Sequence, residues 1–235
     1  LPLFGITGGV CVLILMQPDV GTAIFIGAVT MITLLVAGIR MVHFLPAAMA
    51  SGTALVFYLT MRLDHVLPRI EGWLWPERDP QGKGHQIIQS LVALGSGGWT
   101  GEGLGEGRQK LFFLPEVHSD FILPIIGEEL GFAGCLGVLV LFALLGYAGW
   151  RIGRAAADRF GFLLSFAVTT SIILQAALNI AVVTAMVPTK GIPLPFMSSG
   201  GSSLVFTLAG VGILVSIANT RERGSPSGAT PSPTA

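Results

Sequence analysis

The stretch FILPIIGEELGFAGCLGVLVLFALLGYAGW, residues 121–150, is apolar apart from Glu128 and Glu129. A bilayer core about 30 Å thick takes roughly 20 apolar residues in a helix, since each adds about 1.5 Å. This stretch exceeds that length, so it reads as a transmembrane span able to tilt or to emerge at one end. The same criterion marks Leu3 to Met16, Val20 to Ile39, Val42 to Leu59, Phe162 to Met186 and Ser202 to Ala218. The expected fold is all-α and polytopic, with six transmembrane helices of which the first is short by several residues.

Composition agrees. Apolar residues make up 52% of the chain and charged residues 11%. The mean hydropathy of +0.76 lies outside the range of ordinary soluble domains. The formal net charge is zero, which leaves no basic field to hold a nucleic-acid backbone, so nucleic acid is excluded as an expected partner. Cys11 and Cys135 lie in apolar runs and act as small hydrophobes, implying neither a disulfide framework nor a zinc site. The chain opens on Leu1, and its first apolar run lacks the basic flank and cleavage site of a signal peptide. It reads as starting inside a larger membrane protein.

With six spans, Arg40, Arg151, Arg154, Arg159, Arg221 and Arg223 fall on one face, while the short connector before the last span gives the other face only Lys190. The positive-inside rule makes the arginine face cytoplasmic. Residues 1–220 then form the bundle, its large loop at about 61–119 is extracytoplasmic, and residues 221–235, rich in Ser, Pro, Gly and Thr, form a disordered cytoplasmic tail. A structureless loop of that length is improbable, so amphipathic pieces on the membrane surface are expected, with Trp73, Trp75 and Trp99 at the interface.

Ionisable groups at bilayer depth are costly, and each counts as a functional candidate. In QPDVGT (residues 17–22), Asp19 either caps the next helix or, with Gln17, lines an outward cavity. Residues 95–105 are glycine-rich but lack the Lys-Ser or Lys-Thr of a nucleotide loop. Arg108 and Lys110, beside flexible backbone N–H groups, either hold a diphosphate or simply solvate the loop. In LPEVHSDF (residues 114–121), Ser119 can cap the long helix and place Asp120 in its first turn. Glu128 and Glu129 lie about two turns deeper on that helix. Gln175 and Asn179, at i,i+4 spacing, fit interhelical hydrogen bonding. Before the last span, the small residues of 198–203 allow close helix approach, with serine, Ser202 included, available as a cap.

Five strings, QPDVGT (17–22), GEGLGEGRQK (101–110), LPEVHSDF (114–121), GEELG (127–131) and PFMSSGGSS (195–203), resemble in order and spacing the SEDS family of shape, elongation, division and sporulation proteins, the FtsW/RodA/SpoVE group. The wording around Arg108 looks more like the division-type FtsW branch than the elongation-type RodA branch. Ser119 stands where Thr is usual, and Ser199 where Tyr is usual. The resemblance implies ten spans with both ends cytoplasmic, of which these six look like the fifth to the tenth. It implies a peptidoglycan glycosyltransferase of the bacterial cytoplasmic membrane that joins lipid II into glycan strands at the outer face. Asp120 matches the family's essential aspartate and is expected to be the general base of an inverting transfer. Arg108, Lys110 or a divalent cation such as Mg²⁺, whose ligands are unassigned, would steady the leaving diphosphate. Gln17, Asp19, Glu116, His118, Glu128 and Ser202 complete the candidate substrate contacts. A class B penicillin-binding protein transpeptidase and membrane lipids are the expected partners. Two rival functions share these features: a lipid II flippase, motivated by Glu128 and Glu129, and a non-enzymatic scaffold for the transpeptidase.

Overall fold

The computed structural model describes residues 2–17, 19–82, 84–107, 120–189, 191–198 and 201–224. Among them every regular element is helical: α1 (Pro2–Met16), α2 (Val20–Val36), α3 (Met41–Met61), α4 (Leu63–Leu74), a 3₁₀ turn (Pro76–Arg78), α5 (His85–Ser96), α6 (Ile122–Arg154), α7 (Arg159–Val183) and α8 (Gly201–Gly224). Helices α3, α6, α7 and α8 are long and apolar enough to cross a membrane, and α1 and α2 are shorter apolar helices packed on each other. The architecture is all-α and polytopic, as expected. Helix α8 runs on to Gly224, past the boundary anticipated at residue 220.

Hydrogen bonds show which helix ends lie together. At one end the Tyr58 hydroxyl donates to the Leu15 carbonyl, the Trp73 indole to that of Ala185 and the Ser90 hydroxyl to that of Val183. At the other, the Arg159 guanidinium donates to the carbonyl of Ala37, so α2 ends where α7 begins. Arg40 follows α2, and Arg151 and Arg154 close α6 just before α7, so the arginines gather at this second end. The amphipathic pieces expected in the large loop are α4 and α5, and they cover the first end. A helix leaves its last four carbonyls open. Those of α7 are all taken: Ile180 by the Thr184 N–H, Ala181 by Met186, Val182 by Ala185, and Val183 by Ser90. Trp75 and Trp99 are exposed, as interfacial tryptophans should be, whereas Trp73 is half-buried and spends its N–H on α7's end.

The stretch that reads as one long span is two helical arms. Gly131 has φ +67° and ψ −165° inside α6, a conformation open only to glycine. The Leu123 carbonyl lies 4.0 Å from the Cys135 sulfur, twelve residues on. In a straight helix that separation is about 18 Å, so residues 122–130 fold back along residues 132–154. Phe121, Leu123 and Ile125 accordingly share a hydrophobic cluster with Val138 and Phe142. The break frees backbone groups, and the loop at 98–103 takes them: Glu102 and Gly103 N–H donate to the Glu128 and Glu129 carbonyls, while Phe132 and Ala133 N–H donate to those of Gly98 and Trp99. Non-helical backbone at membrane depth survives only where protein satisfies it, and these four bonds do so. The expected span at Phe121–Trp150 is therefore corrected. The crossing arm is residues 132–154, and Glu128 and Glu129 lie at the bend instead of two turns down the span.

The crossing arm meets α7 through small residues. The Ser165 hydroxyl donates to the Gly149 carbonyl at 3.0 Å, and a Cβ on Gly149 would overlap Thr169. Between α7 and α8 the connector also dips inward. The Gln175 amide donates to the Pro193 carbonyl at 2.9 Å, from a position two turns before α7's end. Its reversals fall at Ala185 (φ +59°) and Phe196 (φ +66°), left-handed conformations that side chains rarely adopt.

Candidate active site

Asp120 sits at the tip of the short arm of α6. The N-cap is Phe121, so Asp120 precedes the helix and does not occupy the first turn that the sequence suggested. Fold-back carries this tip inward, where α7 and the dipping connector meet it. The Asn179 amide of α7 donates to the Asp120 backbone carbonyl at 2.8 Å and to that of Ile192 at 2.7 Å. Asn179 is one turn from the end of α7, which places Asp120 about 6 Å in from that end. The carboxylate lies against Gly191: a Cβ there would stand 3.0 Å from Asp120 Oδ2. Ile192, Leu194 and Ser198 of the same connector are buried, while Asp120 is only partly buried and Gly191 is exposed. The partly buried carboxylate thus lies beside an exposed residue that has no side chain.

The remaining sequence candidates scatter. Asp19 Oδ1 accepts from the Thr22 N–H at 3.0 Å, the capping role, and exposed Gln17 shares its turn between α1 and α2. Glu128, 2% exposed, lies at the outer end of the short arm, with the Gly107 backbone close against its carboxylate. Eight residues separate it from Asp120, about 12 Å along the arm. Ser202 is the second residue of α8 and is exposed, inside the helix instead of capping it. Arg108, Lys110, Glu116 and His118 lie outside the described residues, as does Ser119. Among the described residues no three His, Cys, Asp or Glu side chains converge as metal ligands. Asn179 and Gly191 were absent from the expected substrate contacts. The polar Gln175–Asn179 pair was visible in the sequence, but its partners are carbonyls of two folded-in segments, not a neighbouring helix.

A family model described as cell cycle protein, covering FtsW, RodA and SpoVE, matches residues 1–223. A probable peptidoglycan glycosyltransferase FtsW from Trichlorobacter lovleyi is 49% identical over 87% of this chain and 54% of its own length. The stage V sporulation protein E of Bacillus subtilis is 41% identical over 92% of this chain and 59% of its own. A solved structure from work on polymerization and crosslinking by a peptidoglycan synthase complex is similar with a TM-score of 0.70 at 29% identity, covering 92% of this chain and 60% of that one. A Thermus thermophilus rod shape determining protein, RodA, is similar at a TM-score of 0.59 and 25% identity over 92% of this chain and 55% of its own. The chain thus spans a little over half the length of the curated relatives it matches.

Proposed function

This chain belongs to the FtsW, RodA and SpoVE family of cell cycle proteins, and from that premise we propose that its protein polymerises lipid II at the outer face of the bacterial cytoplasmic membrane. Asp120 takes the proton from the acceptor sugar hydroxyl as that oxygen attacks the anomeric carbon, and the configuration inverts as the lipid diphosphate departs. A diphosphate is already a weak base, so the step asks for one positioned carboxylate and charge neutralisation, with no second acid. The observation that carries this reading is the seat of Asp120: an aspartate brought inside the bundle near the end away from the arginines, its backbone carbonyl held by Asn179 and its carboxylate beside exposed Gly191.

Arg108 and Lys110 are the proposed partners of the leaving diphosphate. A divalent cation such as Mg²⁺ is the alternative, although the described residues do not by themselves form a site for one. A class B penicillin-binding protein is the proposed partner. The related peptidoglycan synthase complex, which couples polymerization and crosslinking, supports a transpeptidase in that place. A flippase, motivated by the same polar mouth and by Glu128 and Glu129, is the second reading; Glu128 stays buried at the bend, and lipid II transport that survives Asp120→Ala while glycan product is lost would separate the two activities. The test is polymerisation of purified lipid II by the full-length protein, with and without its partner, comparing Asp120→Ala and Asp120→Asn with the parent. Loss of a general base costs on the order of 100-fold or more. Equal glycan product from all three would remove the assignment.

A further inference from the structure

Asn179 is 1% exposed and lies among apolar residues of α7. Its amide orientation is fixed by its surroundings, because the two groups facing it at 2.7 and 2.8 Å are both carbonyls and only the NH₂ end can serve them. Both N–H bonds are thereby used, one on each folded-in segment. Its Oδ1, equally buried, has no hydrogen-bond partner among the described residues. Its two N–H groups serve the Asp120 and Ile192 carbonyls while its own buried Oδ1 goes without a partner among the described residues, so the side chain is not placed there to satisfy itself. What it supplies is a fixed distance. The Asp120 peptide and the connector that carries Gly191 are joined through one rigid amide on a crossing helix.

We propose that Asn179 is a positioning residue for glycosyl transfer, setting the place of the Asp120 carboxylate against Gly191 by tying the Asp120 and Ile192 carbonyls together. It touches neither reacting atom. This inference rests on the reading of Asp120 as the base. A catalytic group displaced by about 1 Å loses on the order of 100-fold in rate, while binding by parts of the substrate remote from it is kept. Replacing Asn179 should therefore lower kcat and leave KM for the lipid-linked substrate within about twofold.

The measurement uses full-length Asn179→Leu, which matches the shape without donors, and Asn179→Ala. Lipid II polymerisation is normalised to the folded, monodisperse fraction, and thermal melting is recorded in parallel. A kcat loss of about 30-fold or more per folded molecule in either variant, with KM held, supports the proposal, whatever the shift in melting. Parent-like kcat per folded molecule overturns it, as does failure of both variants to fold, which would make the residue part of the scaffold. Asp120→Ala is run beside them. If it keeps full activity, the base assignment itself has failed; if it is inactive while both Asn179 variants match the parent, only the positioning role is lost.

Discussion

Asp120 and Gly191 form a pair in which one residue supplies a carboxylate and the other the space for it. A methyl group at 191 would stand 3.0 Å from Oδ2, tighter than ordinary van der Waals contact, so the carboxylate has to give by a few tenths of an ångström. Because Gly191 is exposed, little packing is disturbed. Gly191→Ala should melt within a few degrees of the parent yet lose several-fold, up to about 10-fold, in polymerisation rate, since the shift is a fraction of the roughly 1 Å displacement that costs about 100-fold. Unchanged turnover would mean that the carboxylate does not work from this side. Asp19 shows the opposite case. Its bond to the Thr22 N–H is the capping contact that an Asp before an apolar run suggests, and the sequence alone was enough to see it.

At the scale of elements, the fold-back of α6 decides where Asp120 goes. Local sequence could not reveal it. GEELGFAG holds three glycines, each weak in a helix, but nothing local separates Gly131, which breaks it, from Gly127 and Gly134 until the loop at 98–103 offers partners for the freed backbone groups. The break depends on bonds to residues about thirty positions away, and helical periodicity does not register such bonds. The dip of the connector was hidden for the same reason, since its carbonyls are held by Gln175 and Asn179 from another helix. The native Cys135 allows a direct check. A Cβ at position 127 would lie 3.2 Å from the Cys135 sulfur, with only the end of the Leu94 side chain to swing away. In a straight helix those positions are about 12 Å apart, beyond disulfide reach. Gly127→Cys should therefore form an intramolecular disulfide with Cys135 on oxidation, detected by mass spectrometry of the linked peptides, and its absence would argue for a continuous helix.

Across the whole molecule, spans and their grouping were legible in the sequence because hydrophobic length and arginine placement are properties of composition. The structure gathers the arginine-bearing ends of α2, α6 and α7 together and lays α4 and α5 across the other end, and Asp120 lies near that covered end. Helix α3 has no buried residue and is long and apolar enough to cross a membrane, so its exposed face suits lipid or a further protein segment. The proposed chemistry requires the carboxylate position to face the outside of the cell. The direct measurement is cysteine accessibility at Asp120→Cys in the full-length protein, with Cys11 and Cys135 replaced by serine, using a small membrane-impermeant thiol reagent on intact spheroplasts and on inside-out vesicles. Modification in spheroplasts and protection in inside-out vesicles is the predicted result; modification only in the inside-out vesicles would contradict it.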